Sequence, residues 1–153
     1  MASTMIGVIS DTHGLLRPEA VEALRGVEMI LHGGDIGKPE ILSELEKIAP
    51  VFAVRGNNDR DDWASEIPET QTIDINGASL FMIHDIKTMD GNADDHDLII
   101  FGHSHKPLVE NRDGVLFLNP GSAGPRRFRL PVTVARLSIS NSAPKAEIVE
   151  LMV

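Results

Sequence analysis

Four histidines, two aspartates and an asparagine stand where hydrophobic runs of this chain stop. Asp11 and His13 follow residues 5–10, Asp35 follows 28–32, and Asn57 follows 51–54. His84 follows 79–83, and His103 and His105 follow 98–101. Imidazole nitrogens with carboxylate and amide oxygens, in a chain without cysteine, suit Mn, Fe, Co, Ni or Zn and disfavour an all-oxygen Mg or Ca cage. A carboxylate such as Asp35 can give one oxygen to each of two ions, and two ions about 3.5–4 Å apart clamp a phosphoryl group. The i, i+2 spacing of Asp11 with His13 and of His103 with His105 predicts side chains on one side of an extended segment. Glycines 34, 56 and 102 let the backbone turn tightly beside these residues.

Other matches are weaker. Asp94-x-His96 repeats the spacing with no apolar run before it and reads as a solvated turn. His32 precedes Gly33-Gly34 and reads as a structural histidine at a strand end rather than a ligand. Arg126 and Arg127 follow the turn at Pro120-Gly121-Ser122 closely enough to meet a phosphate at the rim of a site.

The elements that must position these side chains fall into two halves. Apolar runs at 5–10, 28–32 and 51–54 alternate with helical spacing over 18–25 and 39–48. Both helices open with Pro-Glu, a good first residue and an acid suited to the positive helix end. This βαβαβ pattern predicts parallel strands covered by helices. Asn76-Gly77 and Asp113-Gly114 then mark two hairpins. Further strands are expected at 98–101, 132–138 and 146–151, giving a mostly antiparallel second half. In open α/β sheets the ligand crevice lies beyond the carboxyl ends of the strands, and six such ends carry the polar clusters.

The 153 residues suffice for one domain spanning 1–153, with no repeat or linker. No apolar run approaches a membrane span, and the first residues lack the basic region of a secretory signal. A cytoplasmic location is expected. A formal charge of -9 argues against a non-specific nucleic-acid binder, although bound cations would reverse the field within one cleft.

Ser10-Asp11-Thr12-His13-Gly14, Gly34-Asp35, Gly56-Asn57-Asn58-Asp59, His84 and Gly102-His103-Ser104-His105 together resemble the calcineurin-like metallophosphoesterase superfamily. Asn119-Pro120-Gly121-Ser122 extends the resemblance to its small bacterial and archaeal phosphodiesterases, which are related to a retromer subunit. The resemblance implies an α/β fold, a four-layer α-β-β-α sandwich of two mixed sheets flanked by helices. It also implies two divalent metal ions, Mn by preference with Ni, Fe or Zn as alternatives. One would take Asp11, His13 and His105, the other Asn57, His84 and His103, with Asp35 shared. A metal-bridging hydroxide would attack phosphorus. Asp35, His84 and Asn58 are the expected catalytic residues, and Asn57, Arg126 and Arg127 the expected substrate-binding ones. The expected partner is a small phosphate ester, with self-association open, and neither a membrane nor a nucleic acid is expected.

Two positions depart from the pattern. Asn58 stands where larger relatives carry a histidine that acts as general acid, and an amide cannot donate a proton at a useful pKa. Asp85 stands where a glycine is usual and is expected to face solvent. These departures motivate an alternative, a protein-interaction scaffold that retains the metal pocket. A nuclease is disfavoured by the charge, the single tryptophan and the lack of tyrosine.

Overall fold

The computed structural model describes residues 3–153. Among them, ten strands form two five-stranded sheets. The chain runs β1 (Thr4–Ile9), α1 (Pro18–Ala23), β2 (Met29–His32), α2 (Pro39–Glu46) and β3 (Val51–Ala53), then β4 (Thr70–Ile75) and β5 (Ala78–Ile83). It continues through β6 (Leu98–Ile100), β7 (Leu108–Arg112), β8 (Val115–Asn119), β9 (Thr133–Ser140) and β10 (Ala143–Glu150). The first sheet has the order β10-β9-β1-β2-β3 and the second β4-β5-β6-β8-β7.

Near-continuous apolar strands are what burial on both faces demands. In β1, Ile6 and Val8 join Leu31 and Val54 against Leu80, Met82, Leu98, Ile100, Leu116 and Leu118 of the second sheet. Ile9 of β1 and Ile30 of β2 instead pack with Leu24, Ile41 and Leu45 in the helix layer. The outer face of the second sheet offers Ile99, Val115 and Phe117, packed with Ile86 and Ala93. Those last two residues lie in short 3-10 turns, Ile86–Thr88 and Ala93–Asp95, which cover this face in place of long helices. No helix of the described residues is long and apolar enough to cross a membrane.

The second half is less antiparallel than its turn signals suggest. Asn76 (φ 49°) and Gly77 (φ 85°) form the expected hairpin between β4 and β5, and Asp113 (φ 52°) and Gly114 (φ 87°) that between β7 and β8. Yet β5, β6 and β8 pair in parallel, so only the edge strands run the other way. Tight turns announce edge hairpins, whereas the crossovers between parallel strands carry no such mark. The final hairpin turns at Asn141 (φ 51°) and Ser142 (φ 59°), where no glycine signals it, and β9 and β10 are longer than expected. Their return to the first sheet, where β9 lies antiparallel to β1, makes that sheet mixed.

His32, at the end of β2, is fully buried and structural, as its position suggested. Its Nδ1 accepts from the Gly34 N–H at 3.0 Å, so Nε2–H faces the Thr12 hydroxyl at 3.0 Å, which in turn donates to Ile36 O at 2.8 Å. This chain of bonds fixes the neutral tautomer and ties β2 to the loop after β1. Burial pushes the His32 pKa down from 6.5 to about 4, outweighing the nearby carboxylates of Asp11 and Asp59. Below pH 6.5 the unfolded chain takes up a proton that the folded one refuses, so this contribution is fully present above that pH and declines as pH falls toward 4. A depression of this size corresponds to about 3 kcal/mol. Urea unfolding of the metal-free protein should therefore lose stability steeply between pH 6.5 and 4.5, and His32→Gln should flatten that slope. An identical slope in the variant would assign the acid sensitivity to other groups.

Candidate metal centre

The loops after the parallel strands are joined through their backbones. Asp11 N–H donates to Gly34 O, His13 N–H to Asp35 O and Gly14 N–H to Ile36 O, linking the loop after β1 to that after β2. Gly102 N–H donates to His84 O, linking the loops after β6 and β5. Within these loops Asp11, His13, Asp35, His103 and His105 all have φ between 47° and 73°, the left-handed region that side-chain-bearing residues rarely adopt. This corrects the expectation that Asp11/His13 and His103/His105 converge by the alternation of an extended strand. They lie beyond the strand ends, and left-handed backbone turns aim them.

Two groups of side chains result: Asp11, His13 and His105, and Asp35, His84 and His103. In each, one donor atom per residue lies within 4.8 Å of the others. Asp11 Oδ1 is buried and accepts no hydrogen bond, although His105 Nε2 lies at 3.4 Å, His13 Nε2 at 3.8 Å and His84 Nε2 at 3.9 Å. Asp35 Oδ2 faces His84 Nε2 at 3.2 Å and His13 Nε2 at 3.7 Å, one imidazole from each group. His13 Nε2 and His105 Nε2 stand 3.4 Å apart. Lone pairs therefore converge from both sides on a space that no protein donor fills. Donors arranged in this way, buried except for the half-buried His13 and the exposed His103 and with no sulfur among them, fit divalent cations.

His84 is oriented for this task. Its Nδ1–H donates to Gly33 O at 2.7 Å, which turns Nε2 inward, where it has no aligned hydrogen-bond partner. Backbone-held histidines of this kind are typical of metal sites. Burial alone would lower the His84 pKa, but the Asp35 and Asp11 carboxylates raise it above the usual value. Burial would likewise raise the Asp35 carboxyl, yet His84 and the Asn58 N–H hold it down at about 2. Asp11 follows the same pattern: burial is overcome by His105, His84 and the Ser10 hydroxyl, and its pKa is lowered. For His13 burial wins over both carboxylates, with His105 and Arg127 adding to the downward shift. Both carboxylates are thus kept ionised.

Asn57 is exposed and its Oδ1 lies 3.2 Å from His103 Nδ1, at the rim of the second group. Asn58 plays a part that its position in the motif did not reveal. Its N–H donates to Asp35 Oδ1 at 2.9 Å and its side-chain amide to Asp35 Oδ2 at 3.2 Å. The residue clamps the central carboxylate. Asp59 is buried and accepts from the N–H groups of Gly56, Ile36 and Gly37, pinning the loop after β3 to that after β2. A Cβ on Gly56 would overlap Asp35 N and Oδ1, so only glycine lets the two loops close. Ser122 donates to Asp11 O at 3.0 Å, and Asn119 donates to Gly102 O and to Ser104 Oγ at 3.2 Å each. The Asn-Pro-Gly-Ser turn therefore braces the loops of both groups. These bracing roles depend on contacts between distant segments, and only the short polar spacing in each turn hinted at them.

Two expectations change. Asp85 does not simply face solvent: Oδ1 accepts from Lys87 N–H at 3.1 Å, and Oδ2 lies 3.9 Å from His103 Nε2. His96 is not part of a solvated turn, because its ring stacks on Phe81 at 4.9 Å and its Nδ1 lies 3.0 Å from Ser79 Oγ. Arg126 and Arg127 have different surroundings. Arg126 donates to Val153 O at 3.3 Å, while the charge of Arg127 reaches His13.

Known proteins resemble this chain in sequence and fold. Residues 5–142 match the model of the calcineurin-like phosphoesterase superfamily domain. A probable metallophosphoesterase of Methanothermobacter thermautotrophicus is 38% identical, over 95% of this chain and 91% of its own length. A phosphodiesterase of Methanocaldococcus jannaschii is 32% identical, over 76% of this chain and 82% of its own. The structure of Entamoeba histolytica Vps29 complexed with zinc shares the fold with a TM-score of 0.75 at 24% identity, covering 96% of this chain and 99% of that one.

The clamp on Asp35 sets a measurable expectation. Asn58→Ala keeps the backbone donor but removes the side-chain one, and loss of such outer partners typically weakens metal affinity about 10-fold or more. Calorimetric titration of the metal-free variant with Mn should show that weakening with the unfolding temperature little changed. Parental affinity in the variant would remove Asn58 from the site.

Proposed function

We propose that this chain, which belongs to the calcineurin-like phosphoesterase superfamily, is a metal-dependent phosphodiesterase with Asp11, His13 and His105 on one cation, Asn57, His84 and His103 on a second, and Asp35 between them. The reading rests on Asp35 Oδ2, a single carboxylate oxygen that faces an imidazole from each group. Divalent cations held there act as Lewis acids toward phosphoryl oxygens and lower the pKa of water. Mn is the proposed metal, with Ni, Fe or Zn as alternatives that the same ligands accept.

The protein's own groups orient and hold charge. Asn58 and His84 keep Asp35 fixed and ionised, and the Gly33 carbonyl keeps Nε2 of His84 turned inward. Arg127 brings positive charge to the His13 side, where an anionic ester must approach. Asn58 gives Asp35 its backbone N–H and one of its two side-chain amide N–H groups, and none of these is acidic, so no proton is supplied there to a leaving oxygen. Turnover should accordingly depend on esters whose leaving group is a weak base. We place the protein in the cytoplasm as one domain acting on a small phosphate ester, with self-association compatible with this reading. The scaffold alternative is the weaker one, since none of the expected ligands is missing from the chain.

Metal-free protein reloaded with Mn should hydrolyse bis(4-nitrophenyl) phosphate, and absence of metal-dependent turnover in folded, loaded protein would overturn the assignment. Asp35→Asn should cut the rate by about 100-fold, in the range seen when partners of a metal site are lost. Arg127→Ala should raise KM with kcat nearly unchanged, the signature of lost uniform binding. Arg126→Ala should leave KM as it was, since its guanidinium is tied to Val153 O. Equal effects of the two substitutions would reject this division of roles.

A further inference from the structure

Beside the second ligand group lies a cavity of about 500 Å³, whose walls include Asn57 and His84 and extend away from the metal centre through Phe81, Asp85, Asp90 and the pair Arg55–Glu69. The walls are unusual for a site that must admit an anion. Arg55 is the one arginine or lysine among them, and its Nη2 is 2.7 Å from Glu69 Oε1, so that pair is neutral. Asp85 and Asp90 have no lysine or arginine partner in the walls, and Asp90 is exposed. Asp85 is held by the Lys87 N–H through Oδ1, which leaves Oδ2 toward His103 Nε2 at 3.9 Å. Lys87 carries the nearest charge of opposite sign in sequence, but its side chain does not line the cavity. Phe81 adds an aromatic wall fixed on one side by the stacked ring of His96 at 4.9 Å. His84, whose buried Nε2 has no hydrogen-bond partner, lines this cavity and also belongs to the second ligand group.

A cavity lined by carboxylates and an aromatic ring suits an organic cation, which can gain both charge attraction and cation–π contact. We propose that this cavity receives the non-leaving substituent of the phosphodiester and selects one that bears an ammonium group. The proposal rests on the phosphodiesterase reading and adds the class of substrate. The phosphate is drawn by the metal centre and by Arg127, while the cationic end is drawn by Asp85 and Asp90. A zwitterionic ester satisfies both regions, whereas a second anionic group would meet two carboxylates that have no lysine or arginine partner in the walls. In the reaction, water oxygen bonds to phosphorus and the bond from phosphorus to the leaving oxygen breaks. The electron pair departs with the leaving group and the water proton passes to solvent, so the ammonium substituent stays on the phosphate.

The test compares 4-nitrophenyl phosphorylcholine with 4-nitrophenyl 3,3-dimethylbutyl phosphate on the Mn-loaded protein. The two differ only by the charge of nitrogen against carbon, with the same leaving group. The cationic ester should show kcat/KM higher by roughly 5- to 10-fold, the size of one screened contact between unit charges. Asp90→Asn should bring that ratio toward one. A ratio of one in the parent, a preference for the neutral isostere, or a ratio unmoved by Asp90→Asn would overturn the proposal. As a second measurement, choline titrated into metal-free protein should shift the NMR resonances of Phe81 and Asp90, and sodium at equal ionic strength should not. Turnover of neither ester would reject the phosphodiesterase reading, and the choline shifts then decide the cavity by themselves. Competition by soluble glycerophosphocholine, but not by phosphatidylcholine vesicles, in the 4-nitrophenyl assay identifies a free ester as the source. The reverse result identifies a lipid headgroup and keeps the selection for ammonium.

Discussion

Two carboxylates buried among imidazoles set the conditions for the rest of this molecule. A buried charged oxygen without a hydrogen bond is costly, and Asp11 Oδ1 is such an atom. Its neighbours are His105, His13 and His84, whose inward nitrogens offer lone pairs as readily as protons. Protonating the imidazoles relieves the carboxylates only in part, and burial opposes it, most clearly at His13. A cation resolves the conflict for every donor at once. The cluster is therefore tolerable as a binding site and poor as a structural core, which separates it from buried polar groups such as His32, whose nitrogens are both satisfied.

The same constraint reaches the backbone. Five of the candidate ligands occupy left-handed conformations, each costing about 1 kcal/mol or more for a residue with a side chain. Together that is at least about 5 kcal/mol, a large share of the net stability of an ordinary domain. Loops alone would relax. They are held because Asp59 collects three N–H groups, Ser122 braces Asp11 and the bonds from residues 11, 13 and 14 zip one loop onto the next. The apolar strands beneath, sealed between two sheets, give these loops a rigid base.

How much of this is legible in the chain follows from the range of the interactions. Strands β1 to β3 and helices α1 and α2 announce themselves because double-sided burial and Pro-Glu starts are local signals. Asn76-Gly77 and Asp113-Gly114 do so because only certain residues accept their backbone. The residues of the centre are marked by their position at strand ends. The parallel core of the second sheet left no such mark, nor did the turn at Asn141-Ser142, the left-handed aim of Asp11 and His105, or the grip of Asn58 on Asp35. All of these are settled by contacts between segments far apart in sequence. Asp85 is the instructive case. Its charge suggested solvent, but Asp85 caps the 3-10 turn Ile86–Thr88 with one oxygen, which leaves the other beside His103.

Asn58 and Asp85 are better understood together than as separate losses. An amide at position 58 cannot protonate a leaving group, but it gives Asp35 two donors at once and so stabilises the charge between the two ligand groups. That favours tight, well-ordered cation binding over acid assistance, and it shifts the burden of reactivity onto the ester itself. Asp85 adds a negative charge on the same side of the centre, close to His103. On the proposed reading two divalent cations would contribute four positive charges and Asp11 and Asp35 would remove two, so a further carboxylate would lower the attraction for a doubly charged monoester more than for a singly charged diester. The two departures therefore act in one direction: toward diesters, and away from substrates that depend on strong anion binding and a proton donor.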